Sequence, residues 1–499
     1  MPTLTALGAS GAVVAGHPLA TAAGQAALSA GGSAVDACLA AAFTAWVCKP
    51  DMCGPGGDLF LLHRPARGAP ISVSGSGPSP AAFNADAAAR REALAMAPGT
   101  PAALLAIEAA GLTRLSRAAL LAPAIRIAER GFVAGPMLAR KIAALPHGAF
   151  RDALLAGWGV THAPEGTVLR WPILAETLRG MAESDPLAPI RTALPEWRAA
   201  GALLTEDDLH ATTVTPEAPL VTNVAGWRLL GQTPPSQAAA ALGAALRAGP
   251  DALLEAPSAY KTHMLVEATK AALTLLEGMG HAGDTAATVA ALLDPTQARA
   301  TRESIGPEAA DGPDLSRNYG ETTQCAAVDA EGNVCTLIHS LYRPFGARVL
   351  SPATGLIAND RGGSFTSGAN APAPRVRPRH TLVGLIAEAP DGTAYALGTP
   401  GALAQTQTVL QVLAGLMAGL TPEDAVRAPR WSAIGGHGLS VESSMDDAIT
   451  RDLAARGHRL ALRPPRDWLM GSLGLALART DGTRGAVADD RREALALPA

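Results

Sequence analysis

The chain has 499 residues, 48% hydrophobic and 17% charged, so disorder is not the default and one large domain or two to three smaller ones are expected. Lys+Arg 40 against Asp+Glu 44 gives a net charge of −4, which leaves no electrostatic footprint for nucleic acid. Only four of the basic residues are lysines (Lys49, Lys141, Lys261, Lys270); in so Arg-rich a chain a single Arg is weak evidence for a site. Large apolar side chains are scarce, with seven Trp, seven Phe and four Tyr, so the core must be built from Ala, Leu and Val. No stretch reaches the ~18–20 apolar residues of a membrane span, and the start lacks the basic n-region of a signal peptide. A cytoplasmic enzyme without membrane contact is the expectation. Five cysteines (Cys38, Cys48, Cys53, Cys325, Cys335) make no CxxC pair and are read as buried thiols, with no metal and no cofactor expected.

In chain order, 17–30 reads as a helix stopped by Gly31-Gly32, and Ser33 caps a second run, 34–47, that is apolar all round and hence buried. A glycine-rich loop, 53–58, leads into a short strand at 59–63, with 71–74 as its partner; without a following GK[ST] it is no P-loop. Thr100-Pro101 opens a helix ending at Gly111, and Ser116 caps another, bent near Pro123 and stopped by Gly131. From about 135 to 300 helix and loop alternate, with Pro234-Pro235-Ser236 before an Ala-rich helix. The stretch 301–321 is polar, has no apolar period and is expected to be exposed. Beyond it, strands at 322–328 and 334–339 flank a turn at 329–333 and form a hairpin. Further strands fit 383–388 and 395–398, helices 408–420 and the segment capped by Thr421. No internal repeat is visible.

A polar stretch delivering into Thr322-Thr323 on a strand has a chemical use. If the Glu321–Thr322 peptide were cut, Thr322 would carry a hydroxyl and an α-amine titrating near ~7.7–8.0. That amine can take the hydroxyl proton without help from a His or Asp. Taken alone the signal is weak, since a Thr-Thr pair opening a strand is usually β propensity.

The segment TTQCAAVDAEGN (322–333) resembles the start of the small subunit in the γ-glutamyltransferase family of N-terminal-nucleophile hydrolases, with Asp329 and Gly332-Asn333 in place. The resemblance continues in order through 17–41, 53–60, 97–111, 120–132, 233–237, 355–365, 377–381 and 398–405. It implies an α+β fold, the four-layer αββα sandwich, and a precursor cut at Glu321–Thr322. The resulting large (1–321) and small (322–499) chains would stay in one folded unit, with a homodimer of that unit left open. It also implies Thr322 as nucleophile, Ser340 positioning its amine, and the N–H groups of Gly401 and Ala402 as oxyanion hole, provided Ala402 does not need φ > 0. A backbone-bonded strand serine and a plain turn are the structural alternatives for these last two sites.

Departures from the family pattern bear on the substrate. Ser76 stands at the position of the Arg that holds a γ-glutamyl carboxylate, and Ser364 at that of the acid holding its amine. Tyr342 replaces an Asn, and His380-Thr381 replace a Ser-Ser pair; with Thr323 these are candidate substrate contacts. Losing two charge-assisted contacts costs roughly 10²–10⁴ in affinity, so glutathione is disfavoured. Arg361, in an Asp360-Arg361-Gly362 run similar to the oxamate amidohydrolase branch, is a candidate carboxylate anchor, with a structural ion pair as the alternative. His380 is weighed against a core histidine, and Arg375, Arg377 and Arg379 read as a solvated face. An amidohydrolase acting on a small non-γ-glutamyl amide is the reading. Acyl transfer to an amine and an unprocessed binding relative remain as alternatives.

Overall fold

The computed structural model describes residues 5–315, 321–402 and 404–499. Two antiparallel sheets dominate. In the six-stranded sheet the spatial order is Leu495–Pro498, Gly11–Ala15, Glu321–Asp329, Val334–Tyr342, Asp58–Arg64 and Ile71–Gly75. In the seven-stranded sheet it is Thr5–Gly8, Arg484–Ala488, Gly474–Ala478, Ala394–Gly398, Gly384–Glu388, Trp227–Gly231 and Leu220–Val224. Both sheets interleave strands that precede residue 321 with strands that follow it.

The three largest apolar clusters among the described residues lie around these sheets. One joins the six-stranded sheet to helices that include Ala34–Cys48 and Arg117–Arg130. A second joins the seven-stranded sheet to helices such as Ala238–Leu254, Ala259–Leu276 and Ala404–Met417. The third is small and contains residues of both sheets, among them Val14, Leu62, Ala326, Ile386, Ala396 and Ala476. Alanine dominates this third cluster, and small side chains let the two sheet faces approach closely.

The helix Ala34–Cys48 shows how local chemistry fixes the hairpin that follows residue 321. Ser33 Oγ accepts from the Asp36 N–H at 3.2 Å while Asp36 returns a bond to the Ser33 N–H at 2.7 Å, a capping box. All fifteen residues of this helix are buried, as its all-round apolarity requires. Asp329, at the far end of the strand Glu321–Asp329, accepts from the first N–H of this helix (Ala34, 3.0 Å) and from Asn333 in the hairpin turn. One carboxylate therefore ties helix to hairpin.

Three expectations need correction. Residues 301–304 finish a helix, Pro295–Ser304, and Glu321 is a buried strand residue, so 301–321 is not one exposed segment; residues 316–320 lie outside the described residues. The region 135–300 also contains the hairpin Leu220–Val224/Trp227–Gly231. The glycine-rich loop ends one residue early, because Asp58 already belongs to the strand. The five cysteines are buried and unpaired. No described helix is long and apolar enough to cross a membrane.

Candidate active site

Thr322 and Ser340 face each other across the hairpin. Thr322 Oγ donates to Ser340 Oγ at 3.3 Å, Ser340 Oγ donates to the Glu321 carbonyl at 2.7 Å, and the Tyr342 N–H donates to Ser340 Oγ at 2.8 Å. A serine hydroxyl has one proton and two lone pairs, and these three contacts use all of them. A register shift between His339 and Tyr342 places a bulge at this point. Tyr342 leaves it at φ +80°, which is strained for a bulky residue. Such a bulge re-aims a side chain locally, here Ser340 toward the peptide ahead of Thr322.

The glycine-rich turn supports this pair from behind. A Cβ at Gly57 would lie 2.4 Å from the Ser340 carbonyl oxygen, and one at Gly56 2.1 Å from that of Ile357. Only glycine allows so close an approach. On the neighbouring strand Asp58 stands directly opposite Ser340.

Asp58 leads to most of the predicted substrate contacts. Its Oδ2 accepts from Arg361 Nε at 2.8 Å, and both side chains are fully buried. The structure thus holds the ion pair weighed above as the alternative for Arg361, whose Nη1 and Nη2 have no hydrogen-bond partner among the described residues and whose guanidinium lies 4.8 Å from the Tyr342 ring centroid. Burial pushes the Asp58 carboxyl up to about 6, against the pull of Arg361. His380, also buried, is 2.6 Å from Ser76 Oγ; burial, then Arg361 and Arg377, hold it well below its ordinary value, so the ring is neutral. Ser364 donates to the Arg361 carbonyl at 2.7 Å, Tyr342 Oη to that of Gly363 at 3.1 Å, and the Thr381 carbonyl accepts from Gln237. Thr323 packs where Gly16 has no Cβ. Ser76, Tyr342, Arg361, Ser364 and His380 thus form one buried cluster of mutual contacts around Asp58, whereas Thr323 lines the crevice at Thr322. Of the arginine run, Arg375 and Arg377 are exposed, and Arg379 is half-buried on the Leu276 carbonyl.

At the predicted oxyanion site Gly401 has φ +126° and Ala402 φ +51°. The condition set for Ala402 is therefore not met: it occupies the left-handed region, at a cost of roughly 1–2 kcal/mol for a residue with a Cβ. Its N–H is retained. Thr322, Thr323, Pro400, Ser472 and Arg492 line a crevice of about 10 Å³, room for at most one water.

Next to that crevice lies a cavity of about 220 Å³ bordered by Glu321, Gly401, Lys141, Arg492 and Trp468. Glu321 lines it, and its carboxylate pairs with Lys141 Nζ and, at 3.2 Å, with Arg492 Nη1. Burial alone would raise this carboxyl; Arg492 and then Lys141 outweigh burial and hold it below its ordinary value. The Trp468 ring is flanked by Arg140, Lys141 and Arg492 at 4.3, 5.1 and 5.5 Å from its centroid. Sequence reasoning missed Lys141, Arg492 and Trp468. The rarity of lysine was the available signal: Lys49, Lys261 and Lys270 are buried and the Lys141 side chain is only 14% exposed.

A separate buried cluster joins His263, Glu267 and His458, whose donor atoms lie within 4.8 Å of one another. His263 Nδ1 and His458 Nε2 are 2.9 Å apart and Lys270 Nζ is 2.8 Å from Glu267. The Lys270 ammonium thus already serves as counter-ion to the Glu267 carboxylate. The cluster fastens the segment after Ser304 through the Gly306 and Ala310 main chain.

Residues 20–499 match the family described as Gamma-glutamyltranspeptidase. The chain belongs to that family. It is 31% identical to an Acylase ACY 1 proenzyme of Pseudomonas sp. (strain V22), over 96% of this chain and 91% of the relative. It is 30% identical to the oxamate amidohydrolase proenzyme of Klebsiella pneumoniae, over 96% and 97%. The crystal structure of a cephalosporin acylase from Bacillus halodurans superposes with a TM-score of 0.90 at 27% identity, covering 99% of this chain and 97% of that one. The family and these relatives are amide-cleaving or acyl-transferring enzymes, and so is this chain.

Proposed function

We propose that the chain is a proenzyme that cuts itself between Glu321 and Thr322 and then hydrolyses a small non-γ-glutamyl amide through a Thr322 acyl-enzyme. The observation that carries this reading is the Ser340 hydroxyl, which links Thr322 Oγ to the Glu321 carbonyl oxygen. In the continuous chain Ser340 accepts the nucleophile's proton on one side and polarises the carbonyl on the other. Attack breaks the Glu321–Thr322 C–N bond as the ester to Thr322 Oγ forms, the Oγ proton passes to the leaving Thr322 nitrogen and frees it as an amine, and water then hydrolyses the ester to release Glu321. The amine is thereafter the base for substrate. The Gly401 N–H is assigned to the oxyanion, joined by that of Ala402, which remains a donor although its backbone is held in the left-handed region at φ +51°.

Interleaving of both sheets across residue 321 supports chains 1–321 and 322–499 staying together, and three clusters around two sheets support the αββα sandwich. The polar groups at positions 76 and 364 are neutral hydroxyls committed to His380 and to the Arg361 carbonyl. A γ-glutamyl head group therefore lacks both its usual ionic partners. The names acylase and oxamate amidohydrolase among the relatives favour hydrolysis over transfer. Product analysis of amide turnover with and without an added amine tests this: free acid alone is expected, whereas an acylated amine would establish transfer.

A further inference from the structure

We propose that Lys49 is a positioning residue that acts through the Thr322 α-amine: its ammonium, held at the crevice that the freed amine shares, keeps that amine in its base form near neutral pH. This assignment rests on the Thr322 reading and adds to it what sets the protonation of the nucleophile's base.

An ordinary α-amine titrates near ~7.7–8.0, so at neutral pH most of it is an ammonium, which cannot take the Thr322 Oγ proton. Thr322 Oγ bonds to Ser340, whose hydroxyl is no base at that pH. Turnover therefore gains from whatever disfavours the ammonium.

Two charged side chains line the crevice together with Thr322, and both are cations, Lys49 and Arg492. They are 5% and 6% exposed, and the crevice of about 10 Å³ admits at most one water to screen them. A second ammonium placed there is disfavoured by like charge and by loss of solvent alike.

The anions of this region stand behind the cations. Glu493 pairs with Lys49 at 3.1 Å, Glu321 pairs with Arg492 at 3.2 Å and with Lys141, and neither carboxylate lines the crevice. Asp51 lies off it too, with its carboxyl pushed up to about 6 by burial. Burial and then Lys49 hold His17 down to about 4, so this ring is neutral, and the Cys48 and Cys53 thiols, raised by burial, carry no charge. The amine thus meets the positive end of each pair first.

Lys49 is the cation whose pairing does not involve the cut residue. Arg492 shares Glu321 with Lys141, whereas the partner of Lys49 is Glu493, far along the chain from the junction. Lys49 also caps the C-terminal end of the helix Ala34–Cys48, with its N–H on the Ala45 carbonyl, and the negative end of a helix favours a cation. Burial opposes the charge; Glu493 and then Asp51 outweigh it and hold the ammonium above its ordinary value.

The sequence supplies a direct readout. All four lysines (Lys49, Lys141, Lys261, Lys270) precede residue 322, so the small chain carries a single amine, that of Thr322. The processed full-length protein is treated with potassium cyanate, a small reagent that carbamoylates neutral amines, from about pH 5 to 9, and the small chain is weighed intact; its rate of carbamoylation against pH gives the midpoint of the amine. The wild-type midpoint should lie below the ordinary range of ~7.7–8.0. Lys49→Met should raise it by at least ~0.5, and Lys49→Arg, which keeps the charge, should hold it near the wild-type value. Lys49→Met leaves Glu493 unpaired, so Lys49→Met/Glu493→Gln is measured beside it and should also lie above the wild type. A wild-type midpoint within the ordinary range, or equal midpoints with and without Lys49, overturns the assignment and leaves the nucleophile standing. So does failure of both variants lacking Lys49 to release a small chain, which places Lys49 in the fold. A wild type that stays uncut overturns the Thr322 reading and this assignment with it.

Discussion

Ser340 donates its hydroxyl proton to the Glu321 carbonyl at 2.7 Å, so the peptide ahead of Thr322 is polarised before any cut is made. Removing one such donor from an oxyanion typically costs ~10²–10³ in rate. Ser340→Ala should slow appearance of the two chains by that order, and Ser340→Thr, which keeps the hydroxyl, should slow it far less. Denaturing gels over a maturation time course measure this. Unchanged maturation in Ser340→Ala would remove Ser340 from the chemistry.

The glycine-rich turn offers a matched pair of variants. Gly57→Ala places a methyl 2.4 Å from the Ser340 carbonyl oxygen, whereas a methyl at Gly54 meets nothing within 4 Å. Gly57→Ala should lower the melting temperature and block or strongly delay maturation; Gly54→Ala should do neither. Equal behaviour of the two would mean that the close approach is not what the turn is for.

Much of this region was legible locally. The Ser33 cap, the Thr322 hairpin and its Asp329–Asn333 turn each depend on residues within a few positions, and all three form where expected. Strands such as Gly11–Ala15, Gly474–Ala478 and Arg484–Ala488 were missed. Their sequences GAVVA, GLALA and RGAVA are short, Gly- and Ala-rich and without polar alternation or aromatics, and their pairing is set by partners far away in the chain. The site divides in the same way. Thr322 and Ser340 share a hairpin and could be read together. Lys141, Trp468 and Arg492 come from three distant segments, and no motif announces that they meet on Glu321.

Breaking the Asp58–Arg361 pair should be costly. Both side chains are fully buried, and Arg361→Met leaves the Asp58 carboxylate without its cation. A loss of ~3–5 kcal/mol is expected, read from urea unfolding of the wild type and the variant. The double change Asp58→Asn/Arg361→Met should recover part of it. A loss below ~1 kcal/mol in the single variant would argue that Arg361 is free for another role.

Asp51 sets a pH dependence of stability. Burial raises its carboxyl from 3.8 to about 6, with Lys49 opposing and Glu321 adding to the shift, and neither oxygen has a hydrogen-bond partner among the described residues. A carboxyl whose folded value lies above its unfolded value favours folding while protonated. That contribution is complete below about pH 4 and is lost as pH rises toward about 6. Asp51→Asn does not titrate. The melting temperature of the wild type should therefore fall relative to Asp51→Asn between pH 4 and 6; parallel curves would contradict the assignment.

Intact mass spectrometry of freshly purified protein tests the central claim most directly. Two chains are expected, the smaller beginning TTQCAAVD at Thr322, with Thr322→Ala remaining a single chain of 50.5 kDa that turns over no amide. A wild type that hydrolyses amides as one uncut 50.5 kDa chain would contradict it.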